Sequence, residues 1–150
     1  MTLMDKISED MKKAMKSGEK LRLETLRMIR AQLLEKRVER RPSGDITLED
    51  EITVLTAASK KRKEAIEVYQ QHGKTEMAIQ EQQELAIIQE YLPKQLTVQE
   101  VEALIQKKIE ELQATSAKDF GKVMSVVMKE LRGKADGKLI QEIVKKILGT

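Results

Sequence analysis

The sequence predicts an all-α protein, and three observations carry that prediction. Aromatic residues make up only 2% of the chain, prolines number two, and long runs are built from Leu, Ile, Met, Glu, Lys and Gln, which leaves little strand-forming sequence. Apolar residues recur at helical spacings of three and four. Threonines and serines stand where helices should start, and glycines and prolines stand where they should stop. At 150 residues, with 40% hydrophobic and 35% charged, the chain can bury one ordinary core or two small ones.

Taken in order, Thr2 caps a first helix with Leu3, Ile7, Met11, Ala14 and Met15 inward, ending near Ser17 and Gly18. A second helix runs from about Glu19 to Arg41. Leu26, Ile29 and Leu33 lie on its core side, while Arg22, Arg27, Arg30, Lys36, Arg37, Arg40 and Arg41 spread around the remainder. Pro42, Ser43 and Gly44 break it. Thr47 caps a third long helix through Ile52, Leu55, Ala58, Ala65, Ile66 and Tyr69, to a stop at His72 and Gly73. The consecutive acids Glu49, Asp50 and Glu51 suit the positive end of its macrodipole and need no metal to explain them. The KKRK run at Lys60 to Lys63, with Glu64 and Glu67 close by, reads as a solvated face.

A fourth helix follows Lys74 and uses Ala78, Leu85, Ile88 and Leu92, and Pro93 ends it. The turn Leu92 to Leu96 therefore reads as a domain junction. Thr97 caps a fifth helix to about Leu112, with Val101, Leu104, Ile105 and Ile109 inward; a sixth spans roughly 117–131, and a seventh follows Asp136 with Ile140, Ile143, Val144 and Ile147 inward. Two helical domains are expected, a four-helix one at 1–92 and a three-helix one at 93–150.

The sixth helix is the most informative. Phe120, Val123, Met124, Val127, Met128 and Leu131 form one continuous apolar stripe, while Lys118, Lys122, Ser125, Lys129 and Arg132 recur along one exposed edge with no acid among them. Ser116 followed by Asp119 is a capping-box-like start, and Gly133 is a stop suited to a left-handed conformation. Gly121 lies inside the helix, where glycine costs about 1 kcal/mol relative to alanine, so a neighbouring helix or a ligand is expected close to its backbone. Lys134 and Lys138 extend the basic surface across the turn to Gly137, although Asp136 is placed to cap the last helix and take up the amides an anion would need.

Charge is segregated behind a net +3: residues 1–11 carry −2, 12–41 carry +7, 42–111 carry −6 and 112–150 carry +4. Two basic blocks around an acidic middle favour a polyanionic partner. The block at 12–41 ranks second, because its cations are scattered around a helix.

The catalytic inventory is thin. The single histidine, His72, sits at a helix end beside Gly73 and has no triad partners. There is no cysteine, no zinc-ligand cluster, no glycine-rich phosphate loop and no GxSxG elbow. No catalytic residue, metal or cofactor is expected. No apolar run approaches the roughly 20 residues of a membrane span, and the N-terminus, which contains Asp5, Glu9 and Asp10, does not resemble a signal peptide. A cytoplasmic location is expected.

The segments GKVMSVVMKELRGKADG at 121–137, YLPKQL at 91–96 and DMKKAMKSGEKLRLETLRMIRAQL at 10–33 resemble the GatB/YqeY family, and the chain as a whole looks like a stand-alone YqeY-like protein. The resemblance implies a C-terminal domain shared with the tail of the B subunit of the glutamine-dependent aspartyl/glutamyl-tRNA amidotransferase, where such a module grips the tRNA body. It thereby implies tRNA as partner, and the basic edge read independently from the residues offers Lys118, Lys122, Lys129 and Arg132, extended by Lys134 and Lys138, as the expected phosphate contacts. A carbon–nitrogen ligase label with glutamine as amido-N-donor would be inherited by homology, since the catalytic body and any amidase portion are absent from these residues. Three other readings compete: a helical module docking on an amidotransferase or another translation or tRNA-modifying protein, a helix-turn-helix DNA binder, and an enzyme in its own right. The early turn of the last helix offers no Arg or Asn for bidentate base contacts, which counts against DNA.

Overall fold

The computed structural model describes residues 1–149, and among them every regular element is helical: α1 (Leu3–Ser17), α2 (Lys20–Arg40), α3 (Leu48–Gln71), α4 (Thr75–Gln89), α5 (Val98–Leu112), α6 (Phe120–Leu131) and α7 (Gly137–Leu148). Short 3-10 turns occupy Arg41–Ser43 and Ala117–Asp119. Contacts divide the chain into two compact units, Met1–Pro93 and the residues from Lys94 onward. No described helix is long and apolar enough to cross a membrane.

Three helix starts are built alike. Thr2, Thr47 and Thr97 accept from the backbone N–H of Asp5, Asp50 and Glu100, each at 3.1 Å, and those acids accept in return from the threonine N–H groups at 3.1, 3.0 and 3.3 Å. Each box satisfies two amides that the helix itself leaves without partners. The returned backbone bond holds the Asp5 and Asp50 carboxyls below the usual aspartate value. Their contribution to stability is therefore present above that value and lost as pH falls through the lowered one.

In the first unit the core is Ile7, Leu26, Ile29, Leu33, Leu55, Ala58 and Ile88, with Leu3, Met11, Val54, Ile87 and Leu92 packed against it. Thr25 is buried as well, because its hydroxyl donates to the Leu21 carbonyl at 2.9 Å and so loses no hydrogen bond on leaving water. Met15, expected inward, is 59% exposed, although the adjacent Ala14 is buried. The second helix stops one residue early, since Pro42 lacks an N–H for a continuing α-ladder and fits a 3-10 turn instead. Likewise α4 ends at Gln89 and the chain turns through Glu90 to Pro93. Ile52, Ala65, Ile66, Tyr69 and Leu85 are only half-buried.

The KKRK run is not uniformly solvated. Lys60 and Lys61 are exposed, but the Arg62 side chain is 15% exposed and reaches across to α4, where its Nε lies 3.1 Å from Glu84 and 3.5 Å from Glu81. Its Nη2 also donates to the Met28 sulfur on α2 at 2.7 Å. One guanidinium thus ties three helices together. At the end of α4, Tyr91 donates its hydroxyl to Asp10 at 2.5 Å, with Lys6 Nζ 5.6 Å from its ring centre, and Glu90 pairs with Arg22 at 2.6 Å. Burial and then the Asp10 bond raise the Tyr91 phenol above its usual range.

The second unit closes α5, α6 and α7 around Val101, Ile105, Ile109, Val123, Val127, Leu131, Ile140, Ile143, Val144 and Leu148, with Phe120, Met124, Met128 and Ile147 partly buried against it. Leu148 completes the core by continuing the α7 stripe one turn from Val144. Helix α5 ends on Gln113 at φ 55, a left-handed conformation that glycine adopts without steric penalty and a side chain does not. Replacing Gln113 by Gly should therefore stabilise this unit by about 1 kcal/mol, read as a higher chemical-denaturation midpoint at unchanged slope. A lower midpoint would show that the Gln113 side chain makes a compensating contact.

Candidate functional site

The basic edge is set up by the local chemistry of residues 115–138. Asp119 accepts from the N–H groups of Thr115 (3.0 Å) and Ser116 (3.4 Å), fixing the 3-10 turn that leads into α6. Those bonds, Thr115 first, hold its carboxyl below the usual aspartate value, with Lys122 and Lys118 contributing. The apolar stripe of α6 faces the core as the periodicity requires. With about 100° per residue, Lys122, Ser125, Lys129 and Arg132 fall in a sector of about 80° on the opposite side. Lys118 lies on the preceding 3-10 turn, and Arg132 is the first residue past the helix. All four cations, and Lys134 and Lys138 beyond them, are exposed.

The acid of α6 is directed away from this edge. Glu130 lies about 80° from Lys122 in the other sense and pairs with Lys108 on α5 at 2.7 Å, a lysine that also holds Glu111 at 3.1 Å. Hydrogen bonds to Glu130 and then Glu111 raise the Lys108 ammonium above its usual value.

After Leu131 the chain makes a tight turn. Arg132 (φ −56, ψ 124) and Gly133 (φ 78) take the two central positions of a type II turn, closed by Lys134 N–H donating to the Leu131 carbonyl at 2.8 Å. Asp136 then caps α7 by accepting from Lys138 N–H at 3.0 Å.

The glycines of this segment differ in what they do. Gly133 is buried and needs its positive φ. Gly121 is exposed, and a Cβ built on it meets nothing within 4 Å, so no neighbouring helix accounts for it. At Gly137 a Cβ would meet only the Met128 methyl at 3.9 Å, an ordinary contact.

Among the described residues, Lys118, Lys122, Lys129, Lys134 and Lys138 form no ion pair. The other basic block behaves differently. On α2, Arg22 pairs with Glu90 (2.6 Å), Lys36 with Glu39 (3.8 Å), Arg37 with Asp45 (3.2 Å) and Arg40 with Asp50 (3.1 Å), while Arg30 donates to Ser8 at 3.1 Å. Part of its charge is thus answered by acids of its own unit, while Lys20 and Arg27 of α2 form no ion pair among the described residues.

Helix polarity is shared by the two basic blocks. The helices α1, α3, α4 and α5 carry acids in their first turns; α2, α6 and α7 carry none there, α2 begins on Lys20 and α7 places Lys138 at its second residue. A cation at a helix N-terminus opposes the macrodipole, so Lys138 is not explained by the stability of α7. Elsewhere, His72 is exposed at the end of α3, where its backbone N–H donates to the Val68 carbonyl at 3.2 Å. Among the described residues no group of three His, Cys, Asp or Glu side chains could hold a metal ion.

A family model described as Yqey-like protein matches residues 4–148, nearly the whole chain. The chain belongs to the YqeY-like family. No curated protein gives a significant match. Within this YqeY-like chain, two of the motifs that stood out in the sequence meet. Gln95 Nε2 donates to the Gly133 carbonyl at 2.6 Å, and Leu96 N–H donates to the Lys134 carbonyl at 2.9 Å, so the second half of YLPKQL is fastened to the turn of GKADG. Spacing alone gave no signal for this, because the partners are 38 residues apart.

Proposed function

We propose that this YqeY-like chain is a cytoplasmic, non-catalytic accessory protein that binds tRNA through the basic edge of its second unit, using Lys118, Lys122, Lys129, Arg132, Lys134 and Lys138. The observation that carries this reading is the difference between the two basic blocks. On α2, Arg22, Lys36, Arg37 and Arg40 pair with acids of their own unit, whereas the five lysines of the α6–α7 edge form no ion pair among the described residues. Exposed, aligned lysines with no ion pair among the described residues suit a polyanion with regularly spaced phosphates.

The resemblance to the amidotransferase tail supplies tRNA as the polyanion, and the residues themselves favour a folded RNA over a single strand. From Lys94 onward Phe120 is the sole aromatic residue, and it packs partly buried against the core, so no stacking platform for splayed bases is available. Each unit closes a core from its own residues, which supports reading them as separate domains, four helices before Pro93 and three after it. A carbon–nitrogen ligase activity would require a catalytic constellation, and any link to transamidation is through association with an amidotransferase.

The test is fluorescence-anisotropy binding of the purified chain to folded tRNA and to a duplex DNA control over a salt series. The expected result is preference for tRNA, with log affinity falling against log salt at a slope of roughly −3 to −5, as for about four to six phosphate contacts. Equal binding to both nucleic acids, or none, would overturn the reading and leave a helical module that docks on another protein.

A further inference from the structure

We infer that Gln95 is a positioning residue for the tRNA contact, holding the turn that carries Arg132 and Lys134 in its binding geometry; the inference rests on the tRNA reading above. The type II turn uses the Leu131 carbonyl for its own closure, which leaves the carbonyls of Gly133 and Lys134 to be satisfied from outside. Gly133 is buried, so an unpaired carbonyl there would be unfavourable. The Gln95 amide satisfies it at 2.6 Å, and the next residue's backbone N–H satisfies Lys134 at 2.9 Å.

Lys134 is exposed and its ammonium pairs with no acid among the described residues, so nothing at the far end of its side chain fixes its direction. Its backbone does, and that backbone is held from residues 95–96. Lys122 and Lys129 stand on a helix with its own ladder of hydrogen bonds and need no such support. Gln95 therefore acts on the turn cations and leaves the helix cations unchanged.

The experiment compares tRNA affinity and its salt slope for the full chain, Gln95→Leu, Lys134→Ala and Lys129→Ala, and for Gln95→Leu combined with each lysine variant. Leucine keeps the bulk and removes the donor; Gln95→Met repeats the comparison should Gln95→Leu fail to fold. Gln95→Leu is expected to weaken binding about 5-fold and to make the salt slope shallower by about 1, the signature of one lost phosphate contact. Its effect should shrink in the Lys134→Ala background, where only the Arg132 contact is left for the turn to hold, and persist in full in the Lys129→Ala background.

Unchanged affinity in Gln95→Leu, or an effect that adds equally to both lysine variants, would overturn the inference while leaving the tRNA reading intact. Absence of salt-dependent binding in the unmodified chain, with Lys129→Ala equally silent, would overturn both.

Discussion

Reversing Lys122, Lys129 and Arg132 together to Glu is expected to lower tRNA affinity by roughly 100-fold or more at moderate salt, because three phosphate contacts are lost and three repulsions replace them. The helical circular dichroism should not change. All three side chains are exposed, away from the stripe that Val123, Val127 and Leu131 bury. Lys122→Glu places an acid near the start of α6, where the helix dipole favours it, and Lys129→Glu places one near the end, where the dipole disfavours it; the two effects oppose each other. Arg132 sits at the first central position of its turn, with a φ that glutamate adopts as readily. Anisotropy titration of the folded triple variant decides the matter: retained binding would remove this edge from the candidate interface and turn attention to α2.

Arg62→Ala is the second large effect expected, and it concerns stability. The Arg62, Glu81 and Glu84 side chains are 15%, 20% and 16% exposed, so truncating the arginine leaves two carboxylates close together with little water around them. Breaking a fully buried pair costs 3–5 kcal/mol; with the residual solvent here, about 2 kcal/mol is expected, which lowers the melting temperature of a unit this size by roughly 10 °C. Burial first, and Glu84 second, already raise the Glu81 carboxyl above its usual value, and Arg62 lowers it.

The sign of the pH dependence follows. A raised carboxyl contributes stability that is present below the ordinary glutamate value and lost as pH rises through the raised one. Without Arg62 that loss grows, so the deficit of Arg62→Ala should be largest near neutral pH and narrow as pH falls toward about 5. Adding Glu81→Gln should recover part of it at pH 7. Thermal melts across that pH range test this, and a deficit independent of pH would show that Arg62 acts through packing alone.

What could be read from the sequence was what local chemistry determines. Threonine caps, glycine stops and the α6 stripe depend on neighbours within four residues, and Thr2, Thr47, Thr97, Val123, Val127 and Leu131 take the places their spacing required. What could not be read depends on partners distant in the chain. Arg62 looked like one of four solvated cations because its carboxylates lie on the next helix. Met15 borders the α1 stripe in sequence, yet it is exposed beside a buried Ala14. Gln113 gave no sign of a left-handed cap, since glycine is the usual marker and is absent there. At the candidate site, the alignment of Lys118, Lys122, Lys129 and Arg132 was visible as spacing. That Glu130 is drawn off to Lys108, and that Gln95 holds the Gly133 turn, required the packing of α5 beside α6 and the path of the preceding segment.

The unanswered lysines of the α6–α7 edge also give ionic strength two opposite roles. In the free protein they repel one another, and Lys138 opposes the dipole of its own helix, so mobile counterions relieve a strain built into the second unit. On the proposed reading those same counterions would compete with phosphates for the edge. On the tRNA reading, a condition that makes the unliganded unit most comfortable is thus the one in which it would hold a polyanion least tightly, and the stability withheld from the fold would be free energy recovered on binding.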